Sequence, residues 1–259
     1  MNQAIIKALL ETQTLQPQQI WVSNRSPGKL DRLVEQTGVH KVSQNEELLG
    51  ACEIIVLGLK PQDLSQAIEP ISSSFEPQHV VVSLAAGVSL ASLKKLIPNV
   101  TQFVRVMPNA AVSIRHSVVG CAVAGEAPWL KSLTQQLFSP LGQVIFVEEG
   151  EPFEALTVAC SSGVGFVYEL MEYWQDWLLD HDFSPAEARQ MTVETFLGAA
   201  LLAVDKSRTS LEELQNKVVS KKGVTAAGLD SIRECEIERL LRISFEKAVM
   251  RDRELGQLD

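Results

Sequence analysis

The sequence predicts an α/β fold in which a doubly wound parallel sheet is followed by an all-helical part. Three observations carry this. Over residues 20–147 short β-branched runs alternate with stretches of helical spacing, those runs are near-continuously apolar, and strand signals almost vanish after "VEEGEPFEAL". A strand covered by helices on both faces is apolar on both sides, which erases the alternation of a half-exposed strand. The change of pattern sets a boundary near Gly150, with one domain expected over 1–150 and a second over 151–259.

Composition excludes several classes. With 259 residues and 46% hydrophobic content the chain can bury a real core. Its net charge of −9, with no clustered Lys or Arg, argues against a nucleic-acid partner and toward a small-molecule one. The longest apolar stretches, "CEIIVLGL" and "HVVVSLAAGV", fall short of the roughly 20 residues of a membrane helix. No basic, apolar leader is read at the start, so the cytoplasm is the expected location and no membrane contact is expected. Four cysteines and four histidines are scattered without ligand spacing, so free, mostly buried thiols and no metal are expected.

The elements follow in order. "MNQAIIKALL" spaces Ala4, Ile5, Ala8 and Leu9 as a helix. Strands are expected at "IWVS", "CEIIVLGL", "HVVVSLAAG", "TQFVRVMP", "SVVGCAVAG" and "QVIFVE", and helices at about 152–159, 165–179, 185–204, 210–218 and 225–255. Trp174 and Trp177 share one helical face with Met171 and Leu178, the pattern of a core or subunit-interface stripe.

In a dinucleotide-binding fold a first strand enters a glycine-rich turn, a helix then points its N-terminus at the pyrophosphate, and the second strand ends beside the adenosine ribose. Here "MNQAIIKALL" reads as that helix and "QQIWVSNRSP" holds the second strand, while the first strand and glycine turn, about a dozen residues, are not in the sequence. Where an NAD site carries a carboxylate at the second strand's end, this chain has Ser23, Asn24, Arg25 and Ser26. These donate hydrogen bonds, and Arg25 adds a cationic fork suited to a 2′-phosphate. NADP is the expected cofactor.

The motifs "LGLKPQDL", "SLAAGVSL", "VRVMPNA", "VVSKKGVTAAGL" and "RDRELG", in this order, resemble the pyrroline-5-carboxylate reductase family nearly from end to end. The resemblance implies a Rossmann-like N-terminal domain, an all-α dimerisation domain, and a homodimer or higher homo-oligomer. It implies reduction of 1-pyrroline-5-carboxylate by NADPH to L-proline, the last step of proline biosynthesis. Met1 is similar to the Met that closes the family's glycine loop. By the same resemblance Asn45, Gly58, Leu59, Lys60 and Pro61 lie on the adenosine side of the cofactor, Ala85, Ala86 and Gly87 near the nicotinamide, and Asn109 close by.

The family's Ser-Pro-Gly-Gly-x-Thr is matched by "SKKGVT", residues 220–225. The resemblance assigns Ser220, Gly223, Val224 and Thr225 to the substrate's carboxylate and ring nitrogen, with Thr225 as the catalytic-end hydroxyl nearest the reacting C=N bond. Backbone N–H groups at a helix start suit a carboxylate. Lys221 and Lys222 depart from the family's Pro and first Gly, either altering the backbone or adding cations. Ser162 in "CSSGVGFVYEL" and the "AVMRDRELG" segment read as structural, the latter as an exposed helix face. Two other readings compete with the reductase. One is a catalytically silent, cofactor-deficient relative that keeps the helical dimerisation domain; the other is a hydroxy-acid reductase, for which Lys206, Lys217, Lys221 and Lys222 sit in no matching motif.

Overall fold

The computed structural model describes residues 1–25, 27–125 and 128–257. Two compact units form: Met1–Ser162 with Lys247–Asp259, and Gly163–Glu246. This division by contact differs from a single cut at Gly150, because Phe153 is fully buried in the first unit and the chain's end returns there. Among the described residues no helix is long and apolar enough to cross a membrane, and no three His, Cys, Asp or Glu are grouped as metal ligands.

In the first unit the order is α1 (Asn2–Glu11), β1 (Trp21–Val22), α2 (Pro27–Thr37), β2 (His40–Lys41), α3 (Asn45–Ala51), β3 (Ile54–Leu57), α4 (Pro61–Ile68) and β4 (Val80–Ser83). It continues through α5 (Leu90–Leu96), β5 (Gln102–Met107), β6 (Ser117–Val123), α6 (Pro128–Phe138) and β7 (Gly142–Phe146) to α7 (Glu151–Leu156) and a π-helical stretch, Thr157–Ser162. β3 to β7 form one five-stranded sheet in chain order, while β1 and β2 pair in parallel as a separate two-stranded sheet. Each strand expected from the sequence is present; β2, which carries no apolar run, is an addition. The outer edge of β3 has no paired strand among the described residues, and its Val56 is 47% exposed.

The sheet departs from the parallel expectation at one place: β5 and β6 are antiparallel. Only residues 108–116 join them, which is too short for the dozen or more residues that a parallel crossover takes. Arg115, with φ of 61°, turns the chain there.

Side chains alternate across the sheet with the two-residue period of a strand. Val80, Val82, Val104, Val106, Val119 and Cys121 pack beneath Ile5, Ala8 and Leu9 of α1 and Leu130 of α6. Val81, Phe103, Ile55 and Leu57 pack on the other face against Leu64 and Ile68 of α4 and Leu93 of α5. Helices on both faces explain why the strands read as continuous apolar runs. Of the cysteines, all free, only Cys121 is fully buried, and burial pushes its thiol pKa up to about 12, which leaves it unreactive.

The second unit holds α8 (Gly163–Leu179), α9 (Pro185–Asp205), α10 (Leu211–Val218), α11 (Val224–Glu234) and the first part of α12 (Ile237–Leu255). The single helix expected over 225–255 is broken: Cys235 ends α11 and Glu236, at φ of 52°, stops its continuation. Trp174 meets Phe196 edge-on at 5.4 Å and Phe166 stacks on Phe245 at 5.5 Å. Ala188 is the one apolar side chain of this unit that is buried among the described residues, while Tyr168, Tyr173, Trp177, Leu201, Leu202 and Val204 are all more than half exposed.

Candidate active site

β3, β4 and β5 run parallel, so the residues that follow them leave the sheet at one edge. These are Gly58, Leu59, Lys60 and Pro61 after β3, Ala85, Ala86 and Gly87 after β4, and Asn109 after β5. Ligands of open α/β sheets bind at the carboxyl ends of the strands. The start of α1 reaches the same edge, since Asn2 Nδ2 donates to the Gly58 carbonyl at 2.6 Å. A side chain on Gly58 would displace the Asn2 side chain from this contact. Lys60 is exposed and stands at the N-cap of α4, with Pro61 as its first residue, where a missing N–H costs nothing.

At the end of β1, Ser23 is half-buried, and Asn24 and Arg25 are exposed; Ser26 lies outside the described residues. Arg25 is 4.0 Å from Asp63 in the first turn of α4, with 82% of its side chain exposed. A pair that long and open contributes little, so the guanidinium is free to swing onto a phosphate. No carboxylate occupies the segment between β1 and α2 to repel one. Asn45 opens α3 and is half-buried, the capping role falling to Gln44 and Glu47. These residues fit NADP: a cationic fork at the ribose position, a helix start beside Gly58, and a tight turn after β4.

That turn is built closely. Ala85 is 2% exposed, its N–H donates to Ser83 Oγ at 3.3 Å, and Gly87 holds φ of +74°, a conformation that side-chain-bearing residues rarely adopt. Asn109 is committed to the scaffold: its Nδ2 donates to the Cys160 carbonyl at 3.1 Å and its Oδ1 accepts from Ala111 N–H at 3.0 Å. Ser161 Oγ donates to the Pro108 carbonyl at 2.9 Å, so the π-helical stretch is pinned to the end of β5. Ser162 is exposed beside it.

Sequence reasoning missed four charged residues at this edge. Arg105 lies mid-strand in β5 at 4% exposure, its guanidinium 4.2 Å from the Phe153 ring, with Nη1 donating to Glu149 Oε1 at 3.3 Å. Burial lowers its pKa, an effect opposed by Glu149, Asp252 and Glu154. Asp252 is 6% exposed, an exception to the exposed-face reading of "AVMRDRELG", whose Met250, Arg251, Arg253 and Glu254 are exposed. Burial raises its pKa, Arg105 and the Gly87 N–H pull it down, and Glu154 pushes it up. A lone Arg inside the apolar "QFVRVM" was the available signal, since a charge in a buried strand demands partners.

The residues that the resemblance assigns to the substrate lie in the second unit. The Ser220 carbonyl accepts from Gly223 N–H at 2.9 Å in a turn that leads into α11. Gly223 is the N-cap, Val224 is 94% exposed, and Thr225 is exposed in the first helical turn. Lys222 sits at φ of +59°, so lysine takes the left-handed position at which the family pattern has glycine, at a cost of about 1–2 kcal/mol.

Comparison with known proteins agrees from end to end. The family model described as pyrroline-5-carboxylate reductase dimerisation matches residues 151–255, and that described as NADP oxidoreductase coenzyme F420-dependent matches 1–87. A pyrroline-5-carboxylate reductase of Pasteurella multocida is 28% identical over 263 residues, covering 100% of this chain and 95% of the relative. The solved structure of a Coxiella burnetii pyrroline-5-carboxylate reductase matches with a TM-score of 0.88 at 28% identity, over 99% of this chain and 95% of that one. A Plasmodium falciparum pyrroline carboxylate reductase with NADP bound shares the fold at a TM-score of 0.84 and 20% identity, over 98% and 92% of the two chains. With both of its parts matched and its strand-end loops in the expected places, the chain belongs to the pyrroline-5-carboxylate reductase family.

Proposed function

We propose that this protein reduces 1-pyrroline-5-carboxylate to L-proline, the last step of proline biosynthesis, with 1–150 as its NADP-binding part and 151–259 as its substrate-binding and dimerisation part. The observation that carries the reading is the shared edge where Gly58, the Gly87 turn and the carboxylate-free segment with Arg25 open, in a chain of this family. NADPH, when bound, supplies a hydride for the imine carbon. Ser23, Asn24 and Arg25 hold its 2′-phosphate, Asn45 and the Gly58, Leu59, Lys60 and Pro61 loop its adenosine side, and Ala85, Ala86 and Gly87 face the nicotinamide beside Asn109. In the second unit the N–H groups of Gly223, Val224 and Thr225 receive the substrate's carboxylate, and the Thr225 hydroxyl bonds the ring nitrogen near the C=N bond. No strong acid lies in 220–225, so the proton on nitrogen comes from the protonated imine or from water.

Fluorescence titration with NADPH, then assay of pyrroline-5-carboxylate beside a panel of 3-hydroxy acids, tests this. Thr225→Val is expected to lower kcat/KM for the imine about 100-fold while leaving NADPH affinity unchanged. A Thr225→Val enzyme with full activity removes Thr225 from the site. A specific observation keeps the silent-relative reading alive, namely the break between the β1–β2 ribbon and the main sheet beside exposed Val56. Failure to bind NADPH at millimolar concentration selects it.

A homo-oligomer through the helical part belongs to the same proposal. One buried apolar side chain cannot stabilise the unit Gly163–Glu246, and its exposed Trp174, Trp177, Leu201 and Leu202 need a partner surface. The expected result is a dimer or larger assembly by sedimentation equilibrium, and a stable monomer contradicts it. A cytoplasmic location is the remaining part of the proposal.

A further inference from the structure

The end of α12 meets the turn after β4 backbone to backbone. A Cβ on Gly87 would fall against the Asp252 carbonyl and the Gly256 amide, and a Cβ on Gly256 would fall against the Gly87 carbonyl. No side chain separates them, so neither partner can adjust by changing rotamer, and the position of one fixes the other. On the helix's last turn Asp252 is buried, and the nearby Gly87 N–H favours its charged carboxylate against the effect of that burial.

A second carboxylate holds the far end of the same turn. Glu149 Oε1 accepts from the Leu90 N–H at 2.6 Å, at the start of α5, and the same oxygen accepts from Arg105 Nη1 at 3.3 Å. Arg105 stands behind both anions, buried over the Phe153 ring, with Nε and Nη2 lacking hydrogen-bond partners among the described residues. Beside Asp252, Arg253 grips Glu154 with Nε and Nη2 at 3.0 and 2.6 Å. Packing a helix end on a turn requires none of these charges, and burying them costs free energy. What they add is direction, because a charge-assisted bond from a carboxylate fixes the orientation of the peptide group that it accepts from.

We propose that Asp252, backed by Arg105, is a positioning residue for the turn of Ala85, Ala86 and Gly87, holding its peptide groups in the one orientation that receives the nicotinamide end of the cofactor. This rests on the assignment of that turn to the nicotinamide. The clamp joins residues far apart in sequence, so the carboxyl-terminal segment completes the cofactor site rather than merely following the last helix.

The test uses the full chain, with NADPH titration, steady-state kinetics and hydrogen exchange of the peptide spanning 84–88. Asp252→Ala is expected to raise the NADPH Kd about tenfold, speed exchange over 84–88, and leave KM for pyrroline-5-carboxylate within about twofold. Asp252→Asn, which keeps an acceptor oxygen, is expected to restore most of both losses, and Arg251→Gln, exposed on the same turn, to change neither. If Asp252→Ala does not fold, Asp252→Glu carries the test, its longer reach misplacing the acceptor with the same loss of affinity and protection. Wild-type affinity or wild-type exchange in Asp252→Ala, or in Asp252→Glu where it replaces the alanine variant, overturns the proposal, as does a loss that Asp252→Asn does not restore. Wild-type protein that binds NADPH yet does not reduce the imine overturns the functional reading alone, with the Asp252 result still read from binding and exchange. Wild-type protein that binds no NADPH overturns both.

Discussion

Arg105→Met is expected to destabilise the first unit by about 3–5 kcal/mol, since it removes the buried cation that a group of carboxylates faces. Methionine keeps much of the volume over Phe153, so the cost is electrostatic rather than a cavity. The loss is pH-dependent, and its sign follows from Asp252. Burial already holds the Asp252 pKa above the ordinary carboxylate value while Arg105 pulls it down, so losing Arg105 raises it further. A carboxylate with a raised folded-state pKa binds its proton more tightly folded than unfolded. The penalty is therefore full above the folded pKa and fades as pH falls toward the unfolded value of about 4. Urea unfolding at about pH 8 and about pH 5 is expected to show a smaller difference between variant and wild type at the lower pH. A difference that is the same at both, or below about 1 kcal/mol, contradicts the assignment.

Gly87→Ala is the second large effect. At φ of +74° a side-chain-bearing residue costs about 1–2 kcal/mol, and its Cβ would also enter the backbone of Asp252 and Gly256. Backbone cannot yield as a flexible side chain does, so a total near ~3 kcal/mol and a loss of NADPH affinity above about tenfold are expected. Gly50→Ala is the contrast. Gly50 is an exposed residue of α3 with no atom within 4 Å of the place a Cβ would take, and alanine there is expected to stabilise by about 0.5–1 kcal/mol. Thermal unfolding of the two variants separates the cases, and a Gly87→Ala protein as stable as wild type refutes the backbone-contact account.

Much of the architecture is legible in the sequence because the signals are local. "HVVVSLAAG" and "TQFVRVMP" announce strands covered on both faces, and the Gly, Pro and Asn that end them mark where the chain leaves the sheet. β2 is not legible, because His40 and Lys41 are both exposed and carry no apolar run. The reversal between β5 and β6 is foreseeable only by counting the short connection, not from the strands themselves. In the turn of residues 220–223 the left-handed φ of Lys222 is not legible in the sequence, because lysine carries no local preference for that conformation.

The sequence by itself determined the class of fold, the change to helices near Gly150, the family, and the loops that end β3, β4 and β5, since periodicity and turn chemistry act over a few residues. Only the tertiary structure decided that Asp252 and Gly256 belong to the Gly87 turn and that Arg105 is buried among carboxylates. The physical reason is range. A helix end and a turn far apart along the chain become partners through packing, and charges of this kind acquire their meaning only when burial strips them of water.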